Sequence, residues 1–259
     1  MKNNHKLIEQ LIKSRSLNIP LTLTSAIELT PESDFEAYQV QKTVSQKLGW
    51  FDSQGPKLWK LGGLLGNPTA AALDLSMLKH HTKNEPLALH IDEACTFTGL
   101  EFELAVKLKR TLKAGDSLDD AISAIGETYL ALEICDERAE QWQFLPDLFR
   151  LADHQMNRNI VLFGLPITGW PNEFSHITPI IHLGQQLINE KILTHPQGHP
   201  LQSLPWLANL SQTLYEQPLE SGTIISTGTW AGMQILSESA PFSVSLNGFP
   251  KIEALLSSK

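Results

Sequence analysis

The chain has 259 residues, of which 42% are hydrophobic, which is enough to bury a sizeable core in one large domain or two small ones. Its formal net charge is −8 and it has no basic stripe, which argues against a nucleic-acid-binding surface. No apolar run approaches the roughly 18 residues of a membrane-spanning helix, and the first residues lack the apolar core of a signal peptide. We therefore expect a cytoplasmic protein without a nucleic-acid or membrane partner.

The opening of the chain is predicted to be helical. Residues 4–15 carry apolar side chains at helical spacing. A second helix is predicted to begin with Thr30 as its cap and Pro31 in its first turn, and to end at Gly49. Its apolar side is predicted to consist of Phe35, Tyr38, Val40, Val44 and Leu48.

From Lys57 onward, short strand-like segments predominate. The candidates are 57–62, 86–92, 99–109, 128–135, 159–165, 180–187, 191–194, 222–227, 241–246 and 250–254. Asn247-Gly248 is typical of a two-residue hairpin turn between the last two. Three further helices are predicted: one of about ten residues from Asp116 or Ser117, a short one from Pro146, and one over 201–215. Because helices and strands do not alternate regularly, the pattern indicates an α+β fold rather than a doubly wound sheet.

The only cysteines are Cys95 and Cys135. They form no Cys-x-x-Cys motif, and both lie in apolar, strand-like segments. We expect buried, reduced thiols rather than a disulfide bridge.

Three acidic residues interrupt apolar segments and form the main candidate site. Glu101 and Glu103 alternate within a predicted strand, so their side chains point the same way, roughly 6 to 7 Å apart. Glu133 recurs in a second such segment. Oxygen ligands of this kind suit Mg²⁺ or Mn²⁺. The alternative is a half-solvated antiparallel strand whose acids face water.

Two other segments carry candidate chemistry. Lys60 is followed by two glycines, and in partly apolar surroundings it would serve as an acid or base; the alternative is a packed stem with its ammonium group in solvent. Thr227 and Gly228 lie at a predicted strand end, where they would donate hydrogen bonds to an anion, although plain strand termination accounts for them equally well. Asp153 and His154 form a weaker candidate acid–base pair, since neighbours on an extended chain point apart.

Six segments, in this order, resemble the 2-keto-4-pentenoate hydratase branch of the fumarylacetoacetate hydrolase superfamily over about residues 30 to 250. They are Ala37-Tyr38-Gln39-Val40-Gln41, Lys60-Leu61-Gly62, Glu101-Phe102-Glu103-Leu104-Ala105, Ala131-Leu132-Glu133-Ile134 with Asp136 and Arg138, Gly198-His199-Pro200-Leu201, and 222–228. The resemblance implies a mixed β-structure rolled into a distorted barrel with flanking helices. It also implies a small helical N-terminal region, 1–55, before a catalytic domain, 56–259, and a homo-oligomer.

The resemblance also assigns roles to individual residues. It implies that Glu101, Glu103 and Glu133 bind Mg²⁺ or Mn²⁺, and that Lys60 and Asp153 are catalytic. The substrate-binding residues that it implies are Leu104, Thr227 and Gly228.

The activity implied is hydration of a 2-hydroxy-2,4-dienoic acid to a 4-hydroxy-2-oxo acid, with the cation stabilising the enolate. Three alternatives remain: decarboxylation of a 2-oxo dioic acid, cleavage of an acylpyruvate C–C bond, and a non-catalytic binding protein. The chain departs from the hydratase pattern at Glu85–His90, where an acid of the family is missing or displaced, and at His154–Asn157.

Overall fold

The computed structural model describes residues 2–90, 94–175, 177–188, 195–236, 240–246 and 249–257. The predicted strand at 191–194 and the predicted turn at Asn247-Gly248 lie outside these residues. Both cysteines are free, and Cys135 is buried whereas Cys95 is partly exposed. Among the helices described, none is both long enough and apolar enough to cross a membrane.

The described part of the chain contains six α-helices. They are α1 (Lys2–Leu17), α2 (Leu23–Glu28), α3 (Asp34–Lys47), α4 (Leu118–Ala124), α5 (Asp147–Ala152) and α6 (Leu204–Tyr215). Five of them correspond to predicted helices, and α2 was not predicted. The capping box of Ser117 and Asp120 starts α4, which is shorter than predicted because β-structure begins at Ile125.

The predicted start of α3 is wrong. The Thr30 hydroxyl donates to Ala26 O and so belongs to the end of α2, whereas Ser33 caps α3 by accepting from the amide of Glu36. Phe35 was predicted to face the core but is 64% exposed, since it lies in the first turn of the helix.

Thirteen strands are found among the described residues. They are β1 (Leu58–Leu64), β2 (Asn67–Leu73), β3 (Leu78–His81), β4 (Leu87–His90), β5 (Gly99–Leu108), β6 (Ile125–Cys135), β7 (Asn157–Thr168), β8 (Ile180–Leu183), β9 (Gln186–Leu187), β10 (Ile224–Ser226), β11 (Gln234–Ile235), β12 (Phe242–Ser245) and β13 (Ile252–Ser257). The sequence did not predict β2, β3 or β11.

These strands form two mixed sheets. The larger has the order β2-β1-β10-β5-β6-β7-β3, with β11 also paired to β5, and the smaller has the order β4-β13-β12-β8-β9. Most neighbours are antiparallel, but β1 runs parallel to β10, β3 to β7 and β4 to β13. The predicted α+β class is confirmed. The described strands do not close into a barrel, so the barrel remains a prediction.

The two faces of the β5–β6 pair pack against different parts of the molecule. One face presents Leu100, Phe102 and Leu104 to the core shared with the smaller sheet. The opposite face carries Ala105 and Ala131 in a second core. The N-terminal helices form a further core together with α5. The acidic residues lie on the face that carries the two alanines.

Candidate active site

Glu101 and Glu133 lie directly opposite each other on the antiparallel strands β5 and β6. Glu103 lies two residues further along β5, on the same face because side chains alternate along a strand. The three carboxylates predicted from the sequence are therefore brought to one face of the sheet. Glu103 and Glu133 are fully buried, so β5 is not the half-solvated strand of the alternative interpretation.

Glu133 is bound at one of its two carboxylate oxygens. Its Oε1 accepts from Lys60 Nζ at 2.6 Å and from Asn157 Nδ2 at 2.8 Å. Its Oε2 is buried and has no hydrogen-bond partner among the described residues. Lys60 also donates to the carbonyl oxygen of Gln155 at 3.1 Å and is only 4% exposed, so its ammonium group does not extend into solvent.

Glu103, like Glu133, has hydrogen-bond partners at only one of its two carboxylate oxygens. Its Oε2 accepts from the Ser226 hydroxyl and from the Gly228 amide, the latter at 3.0 Å. Its Oε1 is buried without a partner in the described part of the chain. Gly228 has φ +97°, a conformation that favours glycine, and this turn directs its amide toward the carboxylate.

The predicted substrate-binding residues have different surroundings. Both the hydroxyl and the amide of Thr227 donate to the carbonyl of Leu104, each at 2.9 Å. The Leu104 side chain packs in the core on the opposite face of β5 from the acids. Of the three, Gly228 alone contacts an acid of the site directly, and it does so through its backbone.

Cys135 is part of the acidic group and was not predicted there. The ligand atoms of Glu101, Glu133 and Cys135 all lie within 4.8 Å of one another. Cys135 follows Glu133 by two residues and therefore shares its face, a signal that the sequence contained. Asn157 and Ser226 were also missed.

Burial dominates the electrostatics of the site. It raises the pKa of Glu101 to about 7; Lys60 opposes this shift and Glu133 adds to it. Burial and the neighbouring Glu133 raise the pKa of Glu103 well above its ordinary value. Burial lowers the pKa of Lys60, but the nearby carboxylate of Glu133 outweighs it, and the net shift is upward. The group thus holds more acid than its single amine can neutralise.

This arrangement fits a divalent cation. The unpaired oxygens of Glu103 and Glu133 are buried acceptors, and a buried acceptor without a partner is costly. Carboxylate oxygens are the ligands that Mg²⁺ and Mn²⁺ prefer, whereas the sulfur of Cys135 is a soft ligand that suits other metals. Because carboxylates outnumber the single thiol, the donor set favours a hard cation.

Asp153 lies in a separate cluster of buried charges. Its Oδ1 pairs with Arg15 at 2.7 Å and its Oδ2 with Arg138 at 2.6 Å. Burial raises the pKa of Asp153, but the two guanidinium groups outweigh it and the net shift is downward. Its carboxylate is thus engaged by arginines rather than by Lys60, and its predicted catalytic role stays a prediction.

His154 does not pair with Asp153 as an acid–base couple. Its Nε2 lies 3.0 Å from the Ser45 hydroxyl, and its Nδ1 lies 3.4 Å from Arg15. Burial lowers the pKa of His154 well below its ordinary value, which favours the neutral form of the ring.

A left-handed turn connects this cluster with the carboxylates. His154, Gln155 and Met156 have φ of 55°, 55° and 61°. For residues other than glycine this conformation costs roughly 1–2 kcal/mol each. Within the turn, the Gln155 carbonyl accepts a hydrogen bond from Lys60. Asn157, the next residue after the turn, donates to Glu133.

No protein-family model matches the chain. Its fold is similar to that of 4-oxalocrotonate decarboxylase from Pseudomonas putida G7, complexed with magnesium and adipate. The identity is 19%, the TM-score is 0.77, and 98% of each chain is covered.

Two further solved structures match a smaller part of the chain. Fumarylpyruvate hydrolase from Pseudomonas aeruginosa, in complex with Mn²⁺ and pyruvate, is 10% identical with a TM-score of 0.57, covering 79% of this chain and 91% of that one. The 5-carboxymethyl-2-hydroxymuconate delta-isomerase from Mycobacterium smegmatis is 16% identical with a TM-score of 0.55, covering 80% and 78%. The chain therefore shares its fold with these three enzymes, and the resemblance to the hydratase branch stays a prediction.

Proposed function

We propose that this protein is a divalent-metal-dependent lyase that decarboxylates an unsaturated 2-oxo dioic acid. The observation that carries the proposal is the group formed by buried Glu103 and Glu133 and partly buried Glu101 beside Lys60, in which Glu103 and Glu133 each keep one oxygen unpaired. Such a group has little structural purpose without a cation, because burying like charges is unfavourable.

The three glutamates would hold Mg²⁺ or Mn²⁺. When bound, the ion would supply Lewis-acid stabilisation of negative charge on the C2 oxygen of a 2-oxo acid. Lys60 holds three N–H donors, of which two are directed to Glu133 and Gln155. The third is left for the substrate, where it would donate to the same C2 oxygen.

The reaction on a 2-oxohex-3-enedioate balances without a redox partner. The C5–C6 bond breaks and carbon dioxide leaves. The electron pair forms the C4–C5 double bond, the C3–C4 π pair shifts to C2–C3, and the C2 carbonyl pair moves onto its oxygen. One proton, donated by Lys60 Nζ and replaced from solvent, then gives the 2-hydroxy-2,4-dienoate.

One observation argues against the hydration implied by the resemblance, and the coverage of the solved structures favours the decarboxylase over the hydrolase and the isomerase. Hydration needs a group that activates water. The acids described at the site are the proposed ligands, and Asp153 is bound by two arginines. In addition, the decarboxylase matches 98% of this chain, whereas the hydrolase and the isomerase match about 80%.

A panel of substrates tests the proposal. Purified protein with Mn²⁺ should release carbon dioxide from 2-oxohex-3-enedioate, and Glu133→Gln should not. Glu127→Gln is the matched control, because Glu127 lies on the same strand and pairs with Lys107 near the surface.

The other outcomes contradict the proposal in distinct ways. Consumption of 2-hydroxypenta-2,4-dienoate alone would indicate the hydratase, and cleavage of an acylpyruvate alone would indicate the C–C hydrolase. Binding of oxalate without any turnover would indicate the non-catalytic binding protein.

A further inference from the structure

The turn formed by His154, Gln155 and Met156 bridges the N-terminal helices and the Lys60–Glu133 pair. On one side the helices hold the turn, and on the other side the turn supplies two hydrogen bonds to the pair. The Gln155 carbonyl accepts from Lys60 at 3.1 Å, and Asn157 donates to Glu133 at 2.8 Å.

Two helices that are far from the turn in sequence, α1 and α3, hold it in place through hydrogen bonds. Ser45 of α3 lies 3.0 Å from His154 Nε2, and its hydroxyl also lies 3.0 Å from the carbonyl of Gln41. Arg15 of α1 donates to the carboxylate and to the carbonyl of Asp153, at 2.7 and 3.2 Å.

These contacts determine which atom of each pair donates and which accepts. Arg15 can only donate, so His154 Nδ1 accepts and His154 Nε2 carries the proton. That proton is donated to Ser45, whose own hydroxyl proton is donated to Gln41. The ring therefore has one orientation, with the Trp50 ring packed 4.8 Å from it, centroid to centroid.

Three successive left-handed residues persist only where their surroundings impose that conformation. The helices impose it through Ser45 and Arg15, and the amide of Asp136, directly after β6, donates to the carbonyl of Met156 at 2.8 Å. A looser turn would move the Gln155 carbonyl and Asn157 together, and with them Lys60 and Glu133.

We propose that α1 and α3 set the position of the Lys60–Glu133 pair by holding this turn, with Ser45 and Arg15 as positioning residues. The effect on turnover rests on the proposed function, whereas the effect on Lys60 itself does not. Residues outside a metal site that orient its ligands typically contribute about 10- to 100-fold to metal affinity or activity.

The test measures how fast acetic anhydride labels Lys60 in metal-free protein, read by peptide mass spectrometry, with the more exposed Lys107 as internal reference. Ser45→Ala should increase the rate of Lys60 labelling and should weaken Mn²⁺ binding by about tenfold. Ser211→Ala should change neither, because it removes a serine that is equally buried but lies on α6.

A second variant applies if Ser45→Ala fails to fold. Ser45→Cys keeps a similar side-chain volume but forms weaker hydrogen bonds, so it should keep the melting temperature while loosening the hold on His154. It should also increase Lys60 labelling. If the variants lower only the melting temperature and leave Lys60 labelling and Mn²⁺ affinity unchanged, the inference is overturned. Wild-type protein without turnover would contradict the proposed function and leave the labelling comparison valid.

Discussion

Lys60 and Glu133 form an ion pair with Nζ 2.6 Å from Oε1, and their side chains are 5% and 0% exposed. They come from strands that are not neighbours, since β10 and β5 lie between β1 and β6. The pair therefore spans the face of the sheet that carries the other acids. The burial of this pair has consequences for stability as well as for the proposed catalysis.

Replacing Lys60 alone should destabilise the fold. Lys60→Met leaves Glu133 buried and without its cation, which typically lowers the free energy of unfolding by about 3–5 kcal/mol. The double variant Lys60→Met/Glu133→Gln should recover most of this loss, because the unpaired charge is gone. Urea unfolding in the presence of a chelator measures the loss in the single variant and the recovery in the double variant. A single variant as stable as the wild type would show that the pair does not form.

Divalent cations should stabilise the folded protein. At a Mn²⁺ concentration 100 times its Kd, mass action adds about 2.7 kcal/mol. For a chain of this size this corresponds to a rise of about 5–10 °C in the melting temperature. Glu133→Gln should lose the rise and Glu127→Gln should keep it. An equal rise in both variants would place the cation elsewhere.

The free energy of unfolding should decrease as the pH is lowered below 6.5. The reason is that His154 and His195 stay neutral in the folded protein, whereas histidines of the unfolded chain take up protons. Burial lowers the pKa of His195 from 6.5 to about 4, and that of His154 well below 6.5. Because the folded-state values lie below the unfolded ones, their contribution is complete above pH 6.5 and is lost as the pH falls toward 4. Each histidine contributes a slope of up to about 1.4 kcal/mol per pH unit.

Single substitutions measure each contribution to this pH dependence. His195→Gln should flatten the dependence of the unfolding free energy between pH 6.5 and about 4, where the wild-type histidine titrates. His5→Gln is the control, since His5 is exposed on α1. Parallel curves for wild type and His195→Gln would contradict the neutral, buried state of this ring.

Asp153→Asn should act mainly on stability. The substitution leaves Arg15 and Arg138 without their shared carboxylate, and breaking a buried ion pair typically costs about 3–5 kcal/mol. Urea unfolding of the variant measures this loss. A variant as stable as the wild type but devoid of turnover would instead support the catalytic role that the sequence resemblance implies.

The clustering of the three glutamates was predictable because its signal is local. Period-two spacing puts Glu101 and Glu103 on one face of any strand, and Glu133 lies in a similar apolar segment. The contacts of Ser226, Asn157 and Gln155 depend instead on how distant strands pair and on a left-handed turn. Nothing in the residues around Asp153 indicates that Arg15 would pair with it.

Strand β2 and helix α2 were not predicted, and each omission has a physical explanation. β2 contains Pro68 and three alanines, which are poor strand formers, and it forms because it pairs along its whole length with β1 at the edge of the sheet. α2 has only six residues and begins at the cap Thr22, so it is too short for a helical period to be visible.

Anomalous diffraction from crystals grown with MnCl₂ and oxalate tests the central claim most directly. The account predicts one manganese peak per chain, coordinated by carboxylate oxygens of Glu101, Glu103 and Glu133, with oxalate bound to it beside Lys60. A peak bound by other residues, or no peak at a concentration that saturates the thermal shift, would contradict it.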